Sequence, residues 1–287
     1  MSSRGKLIQF TNCKILRDSK IIREDLWVRN SKIINPEPVF YDEKITSDLK
    51  VDCGNALIVP GFIDLQINGG FGFDFSTPKD DIASSINVVA KGILQYGVTS
   101  FCPTLITSTP DKYHEIIPKI KIQNGGKHGA GVLGIHVEGP FINKEKCGAH
   151  PTQYIKTLKN GIEDIVETYG NLYNIRILTL APELDTNGTV IKELVRQGIT
   201  VSLGHSACNL SDGEEAVVQG ATFITHLFNA MLPFHHRDPG LVGLLTSEKI
   251  PVNMKIFYGI IADGIHTHPA ALRIAYHSNP DGILNIN

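Results

Sequence analysis

The hydrophobic pattern changes character near residue 56. Before it, the stretches LIQFTNCKIL, IIREDLWVRNSKII and LKVDCGNALIVP are short, β-prone and separated by polar turns or the Asn35-Pro36-Glu37-Pro38 turn. This pattern predicts a small antiparallel sheet over 1–56, with no helix of useful length. Beyond it, ALIVPGFIDLQI, GVTSFCPTL, GVLGIHVE, IRILTLAPE, ITVSLGH, ATFITH and FYGIIADGIH alternate with amphipathic segments. In one of these, DDIASSINVVAKGILQYG, Ile82, Ile86, Val89 and Ile93 recur at helical spacing. Seven such alternations, with strands too uniformly apolar to carry one wet face, imply a parallel sheet covered by helices. An eighth strand in GILNIN would complete a (β/α)8 TIM-type barrel over 57–287, an α/β fold carrying a small N-terminal β-sheet domain.

A barrel of this kind collects its chemistry at the carboxyl ends of its strands. Polar residues fall there in order: Asp64 and Gln66, Thr104, Glu138, Glu183, His205, His226, then Asp263 with His266. A doubly wound open sheet would also put polar groups at strand ends, though it explains the complete series less well.

Composition removes several function classes. Across 287 residues, 27 Lys and Arg face 29 Asp and Glu for a net charge of −2, so no electrostatic footprint for nucleic acid or an anionic membrane exists. Five cysteines, widely spaced and without a CxxC pair, argue for reduced thiols in the cytoplasm rather than a disulfide framework or zinc ribbon. The N-terminus lacks the apolar core of a secretion signal, and no apolar run is long enough to span a bilayer. A soluble, cytoplasmic chain is expected.

Glu138 in GIHVEGPF, His205 in SLGHS and His226 in FITHLFNAM are the strongest chemical signal. One carboxylate and two imidazoles delivered from separate strands suit a single divalent metal with a coordination position left for water. His136 lies two residues before Glu138 on the same face of a strand, and is expected to be a buried supporting histidine rather than a ligand. Asn229, Arg237 and His150 lie in loops beyond strand ends, where Arg237 offers a bidentate fork for a phosphate or carboxylate. His235 and His236 are expected at the surface or behind the ligands. PGFIDLQINGG resembles the PGFIDxHxH signature of the amidohydrolase superfamily, with Gln66 and Asn68 in place of both metal-binding histidines. That substitution favours one metal over two.

Together PGFIDLQINGGFGFDF, GVTSFCPT, GIHVEGPFIN, GAHP, SLGHS, THLFNAM, RDPGLVG and IADGIHTHP resemble the N-acetylglucosamine-6-phosphate deacetylases, in particular their eukaryotic members, in order from about Asp52 to His268. The resemblance implies that Glu138, His205 and His226 hold one divalent cation, zinc by default for such donors, with cobalt, iron and manganese also admissible. It implies substrate contacts from Ala149, His150, Asn229, Ala230, Asp263, Gly264 and Ile265, with His150 polarising the acetamide carbonyl. Arg237 and His266 would hold the 6-phosphate of an amino-sugar phosphate, and the family's dimeric form would let Arg237 serve a neighbouring pocket. The implied reaction is metal-assisted hydrolysis of an N-acetyl group. Acetyl and glycolyl substrates are not separated by the sequence.

The family's general-base aspartate would be expected one position after Asn287. By that reading the chain is a truncated form whose barrel is incomplete at strand eight, with strands one and seven left as bare edges, a poorly supported N-terminal sheet, and hydrolysis reduced about 10²–10⁴-fold for want of the base. Asp64 and Asp263 are the nearby carboxylates that would have to substitute. The alternatives are a catalytically impaired chain that keeps its metal and sugar-phosphate contacts, or a single-metal amidohydrolase for another acylated amine.

Overall fold

In a computed structural model, which describes residues 5–78 and 81–286, the chain forms two compact units, 1–61 and 62–287. The first unit is built on two small sheets. In one, Lys32–Ile33, Leu26–Arg29, Leu7–Thr11 and Leu49–Asp52 lie in that spatial order; in the other, Lys20–Arg23, Lys14–Arg17 and Leu57–Ile58. The tight hairpins follow from left-handed pairs at Asp18-Ser19 and Asn30-Ser31, the conformation that two-residue turns between antiparallel strands require.

The expectation of a single antiparallel sheet needs correction. Leu49–Asp52 runs parallel to Leu7–Thr11, and Leu57–Ile58 runs parallel to Lys14–Arg17. These two strands return after long connections rather than hairpins, so turn chemistry does not dictate their direction. Trp27, Leu7 and Val39 fill the small core of this unit.

The second unit contains eight parallel strands: β1 (Phe62–Ile67), β2 (Val98–Leu105), β3 (Ile135–Glu138), β4 (Ile175–Leu180), β5 (Thr200–Leu203), β6 (Phe223–Ile224), β7 (Phe257–Ile261) and β8 (Ile283–Ile286). They pair in chain order, with Glu138 opposite Thr179 and Thr179 opposite Ser202. Helices α1 (Ile82–Leu94), α2 (Pro110–Ile116), α3 (Ile162–Tyr169), α4 (Thr189–Arg196), α5 (Leu210–Val218) and α6 (Pro269–Ser278) connect them, and a 3-10 turn at Gly240–Leu245 stands between β6 and β7. Ile82, Ile86, Val89 and Ile93 are all buried on α1, as their spacing predicts. This is the incomplete barrel expected from the alternation.

The strand edges differ from expectation. β7 is not bare: Tyr258 to Ile261 pair with Ile283 to Ile286 in parallel. Backbone pairing needs no particular side chain, so the asparagine in GILNIN does not prevent it. The remaining seam lies between β8 and β1, which run side by side without a shared ladder among the described residues.

Alternation divides the strand residues between two environments. Val137, Leu178, Val201 and Leu203 join the large core under the helices, whereas Cys102, Ile177 and Phe223 form a separate cluster with Leu65 and Leu284. Among the described residues no helix is long and apolar enough to cross a membrane.

Candidate metal centre

At the carboxyl ends of β3, β5 and β6 three donors converge. His205 Nε2 and His226 Nε2 each lie 3.1 Å from Glu138 Oε1 and 3.0 Å from each other. All three side chains are buried, with Glu138 2% exposed. Donors bound at about 2.0–2.1 Å to one tetrahedral ion stand roughly 3.3 Å apart, so the triangle has the size that a shared cation requires.

The hydrogen count points the same way. His205 Nδ1 donates to the carbonyl of Lys146 at 2.7 Å, so in the neutral ring Nε2 carries a lone pair directed at a carboxylate oxygen and a second ring nitrogen. One proton can occupy one edge of such a triangle; a cation at its centre satisfies all three corners. His226 Nδ1 is buried with no hydrogen-bond partner among the described residues.

Gln66 and His150 complete the cluster. Gln66 Nε2 donates to Glu138 Oε1 at 2.8 Å, and His150 Nε2 lies 3.6 Å from Glu138 Oε2. Glu138, His150 and His205 also form a group of donors close enough to share an ion. Burial pushes the Glu138 carboxyl up, but the His150, His205 and His226 rings packed against it outweigh burial and hold the group well below the usual carboxylate range.

The tautomer of His150 is set from below. The backbone N–H of Thr107 donates to His150 Nδ1 at 3.3 Å, and the Thr107 hydroxyl reaches the same atom at 2.7 Å. With Nδ1 accepting, the ring proton resides on Nε2 and faces the carboxylate.

Beneath the triangle runs a buried chain of hydroxyls. His136 Nδ1 faces the carbonyl of Leu65 at 2.9 Å and must donate to it. Its Nε2 therefore accepts from Thr179, Thr179 accepts from Thr225, and Thr225 accepts from Ser202. The chain ties β3, β4, β5 and β6 together directly under the site. Burial lowers the His136 pKa and keeps the ring neutral; as a supporting residue it makes no direct contact with the triangle among the described hydrogen bonds.

The backbone around the site is unusual. His205, His226, Phe228 and Ala230 all have positive φ, at 49°, 30°, 74° and 49°. Non-glycine residues in this region cost about 1–3 kcal/mol each and persist where surrounding contacts over-determine them. The Ser206 N–H bond to the Ala230 carbonyl, at 3.1 Å, is one such contact.

The remaining predicted residues occupy the surrounding loops. Ala149 is exposed beside buried His150; Asn229 and Ala230 are half-buried just beyond His226; Arg237, with His235 and His236, lies in an exposed turn. Asp263, Gly264, Ile265 and His266 form an exposed segment after β7. Asp263 accepts from the backbone of Ile265 and His266 and pairs with His266 Nδ1 at 2.6 Å. Among the described hydrogen bonds and ion pairs, none joins Arg237, Asp263 or His266 to the metal triangle. Thr107 and Asn143 escaped the sequence reading, and Glu183 entered it merely as a polar strand end; each lies within a few residues of a strand end, the one signal that could have found them.

Residues 57–285 match the amidohydrolase family. The chain belongs to that family. It is 59% identical over 283 residues to the N-acetylglucosamine-6-phosphate deacetylase of Danio rerio, a match covering 98% of this chain and 70% of that protein. With the Homo sapiens protein of the same name, identity is 57% over 281 residues, covering 98% and 69% respectively. The N-acetylglucosamine-6-phosphate deacetylase structure from Pasteurella multocida superposes with a TM-score of 0.76 at 30% identity, covering 98% of this chain and 71% of that one. This amidohydrolase thus spans roughly seven-tenths of the relatives it matches, its Glu138, His205 and His226 included.

Proposed function

We propose that the chain is an N-acetylglucosamine-6-phosphate deacetylase, hydrolysing the N-acetyl group of that sugar phosphate to glucosamine 6-phosphate and acetate. The observation that carries this reading is the donor triangle of Glu138, His205 and His226, with edges of 3.0–3.1 Å, in a chain 57–59% identical to vertebrate proteins of that name. We assign to these three residues one divalent cation, zinc by donor type. When bound, the ion would acidify a water and polarise the acetyl carbonyl.

The chain's own residues supply the rest. Gln66 fixes the Glu138 carboxylate by donating to Oε1. His150, protonated on Nε2, presents a hydrogen-bond donor for the oxyanion of the acetamide carbon. Ala149, Asn229, Ala230, Gly264 and Ile265 line the sugar, while Arg237 and His266 take the 6-phosphate, Arg237 within its own pocket or a neighbour's in a homodimer. Asp263 holds His266 through Nδ1, leaving Nε2 of that ring to face the phosphate. The five free cysteines support a reducing, cytoplasmic setting.

The alternative against which this reading is tested is a chain that keeps cation and sugar-phosphate contacts but turns over slowly. Proton transfer to the departing amine needs a general acid within reach; of the two carboxylates expected to substitute, Asp263 accepts from the backbone of its own loop and Asp64 Oδ1 accepts from the Gln66 N–H. Acetate release from N-acetylglucosamine 6-phosphate by the purified, zinc-loaded chain separates the two. Chelator-sensitive release at enzymatic rates supports the deacetylase; stoichiometric zinc with release at least 10²-fold below such rates supports the second reading. A chain that takes up no zinc refutes both.

A further inference from the structure

Among the described hydrogen bonds Glu183 does not touch the donor triangle, yet its carboxylate accepts three hydrogen bonds from two different loops. It lies in the turn Pro182–Leu184 directly after β4. Oε2 accepts from the Ser206 hydroxyl at 2.6 Å, and Oε1 accepts from the Ala207 N–H at 2.8 Å and from Asn143 Nδ2 at 2.9 Å. Ser206 and Ala207 directly follow His205. Asn143 belongs to the loop that leaves β3 after Glu138.

Asn143 in turn fastens His205 from the other side. Its backbone N–H donates to the His205 carbonyl at 2.8 Å, and its side-chain oxygen accepts from the Glu145 N–H at 2.9 Å, capping the turn Lys144–Lys146. The carbonyl of Lys146, at the end of that turn, receives the His205 Nδ1 proton. The loop after β3 thus fixes both the ring and the carbonyl of His205, and Glu183 ties that loop to the two residues that follow the histidine.

His205 needs such fixing because its backbone stands at a φ of 49°, a conformation a non-glycine residue leaves unless its neighbours hold it. We propose that Glu183 is the positioning residue of the metal centre: it clamps the loops after β3 and β5 together so that His205 Nε2 is held at the shared corner with Glu138 and His226. The inference rests on the cation reading above and adds a residue that acts on the ion solely through His205.

The test is a Co2+ titration of the purified chain, read by visible absorption, which reports affinity and coordination geometry together. Glu183→Gln keeps the shape of the side chain but turns one acceptor into a donor. Loss of supporting contacts of this kind typically weakens metal binding about 10–100-fold, and Glu183→Gln is expected to do so with a changed cobalt spectrum, while the metal-free protein keeps its circular dichroism spectrum. A merely structural role would lower the metal-free melting temperature and leave the affinity and spectrum of the folded fraction unmoved, which would overturn the proposal. Should Glu183→Gln fail to fold, Ser206→Ala, which leaves the charge in place, is expected to weaken Co2+ about tenfold, the lower end of the same range; unchanged affinity would be equally fatal. Parallel titrations of the parent chain and His205→Ala separate the two readings. If the parent takes up no cobalt, or His205→Ala binds it equally well, the cation reading fails and this inference with it. If both behave as expected and the Glu183 and Ser206 variants do not move, the clamp alone is wrong.

Discussion

Truncating His226 to alanine tests the donor triangle most directly. In the parent chain, a cation at 100 times its dissociation constant stabilises the native state by about 2.7 kcal/mol. A domain of this size gains about 2–4 °C in melting temperature per kcal/mol, so the metal increment is expected to be roughly 5–11 °C. His226 Nε2 is 3.1 Å from Glu138 Oε1 and 3.0 Å from His205 Nε2, so His226→Ala removes one corner of the site. Losing a ligand should weaken binding by more than the ~10–100-fold seen when a supporting residue is lost. At the same metal concentration the ion then stands at or below its dissociation constant, worth about 0.4 kcal/mol or less, and the increment shrinks to under about 2 °C. Melts by circular dichroism with and without zinc, each with a chelator control, measure it. His136→Gln supplies the contrast: it disturbs a fully buried ring that lies outside the triangle, so the metal-free melt falls while most of the metal increment survives. A full increment in His226→Ala, or none in the parent, would refute the assignment of the ligands.

Thr107→Val removes the hydroxyl 2.7 Å from His150 Nδ1 and should lower kcat/KM for acetate release about 5–30-fold, the equivalent of 1–2 kcal/mol for a buried hydrogen bond; a change under twofold would dissociate His150 from the reaction. Burial pushes the Cys102 and Cys208 thiols up to about 12 from an ordinary 9.0, so in the native chain both should resist iodoacetamide at pH 8 while half-buried Cys147 reacts, as mass spectrometry would show. Because their folded pKa values are raised, the stability they contribute is complete below pH 9 and is lost as pH climbs from 9 towards 12, so the urea midpoint should fall across that window; a flat midpoint would contradict it. Asp263 is drawn down to about 2, chiefly by the backbone N–H of His266, then by the His266 ring and the Ile265 N–H. The order it gives the segment after β7 should be intact above pH 3.8 and fade as pH drops towards 2, and an NMR titration placing this carboxyl near 3.8 would show that the loop is not closed as described.

The barrel was legible because its signal is local. Apolar runs followed by amphipathic helices state the strand count, and Ile82, Ile86, Val89 and Ile93 are buried because helical spacing alone puts them on one face. Glu138, His205 and His226 stood out for the same reason, each being a polar group at the end of an apolar run. The small N-terminal sheets were less legible: the hairpins at Asp18-Ser19 and Asn30-Ser31 follow from turn chemistry, whereas the parallel return of Leu49–Asp52 depends on where a long connection lands.

By itself the sequence determined the menu of donors and the alternation that carries them to one end of a barrel; the pairing of β7 with Ile283–Ile286, against the expectation of a bare edge, came with the structure. Tertiary structure alone decided that three of those donors meet at 3.0–3.1 Å, that Thr107 selects the tautomer of His150, and that Glu183 joins the loops after β3 and β5. Such distances depend on the register between strands far apart in the chain and on left-handed backbone at His205 and His226, which no local pattern of apolar and polar residues encodes, because convergence is a property of the assembled strands rather than of any one of them.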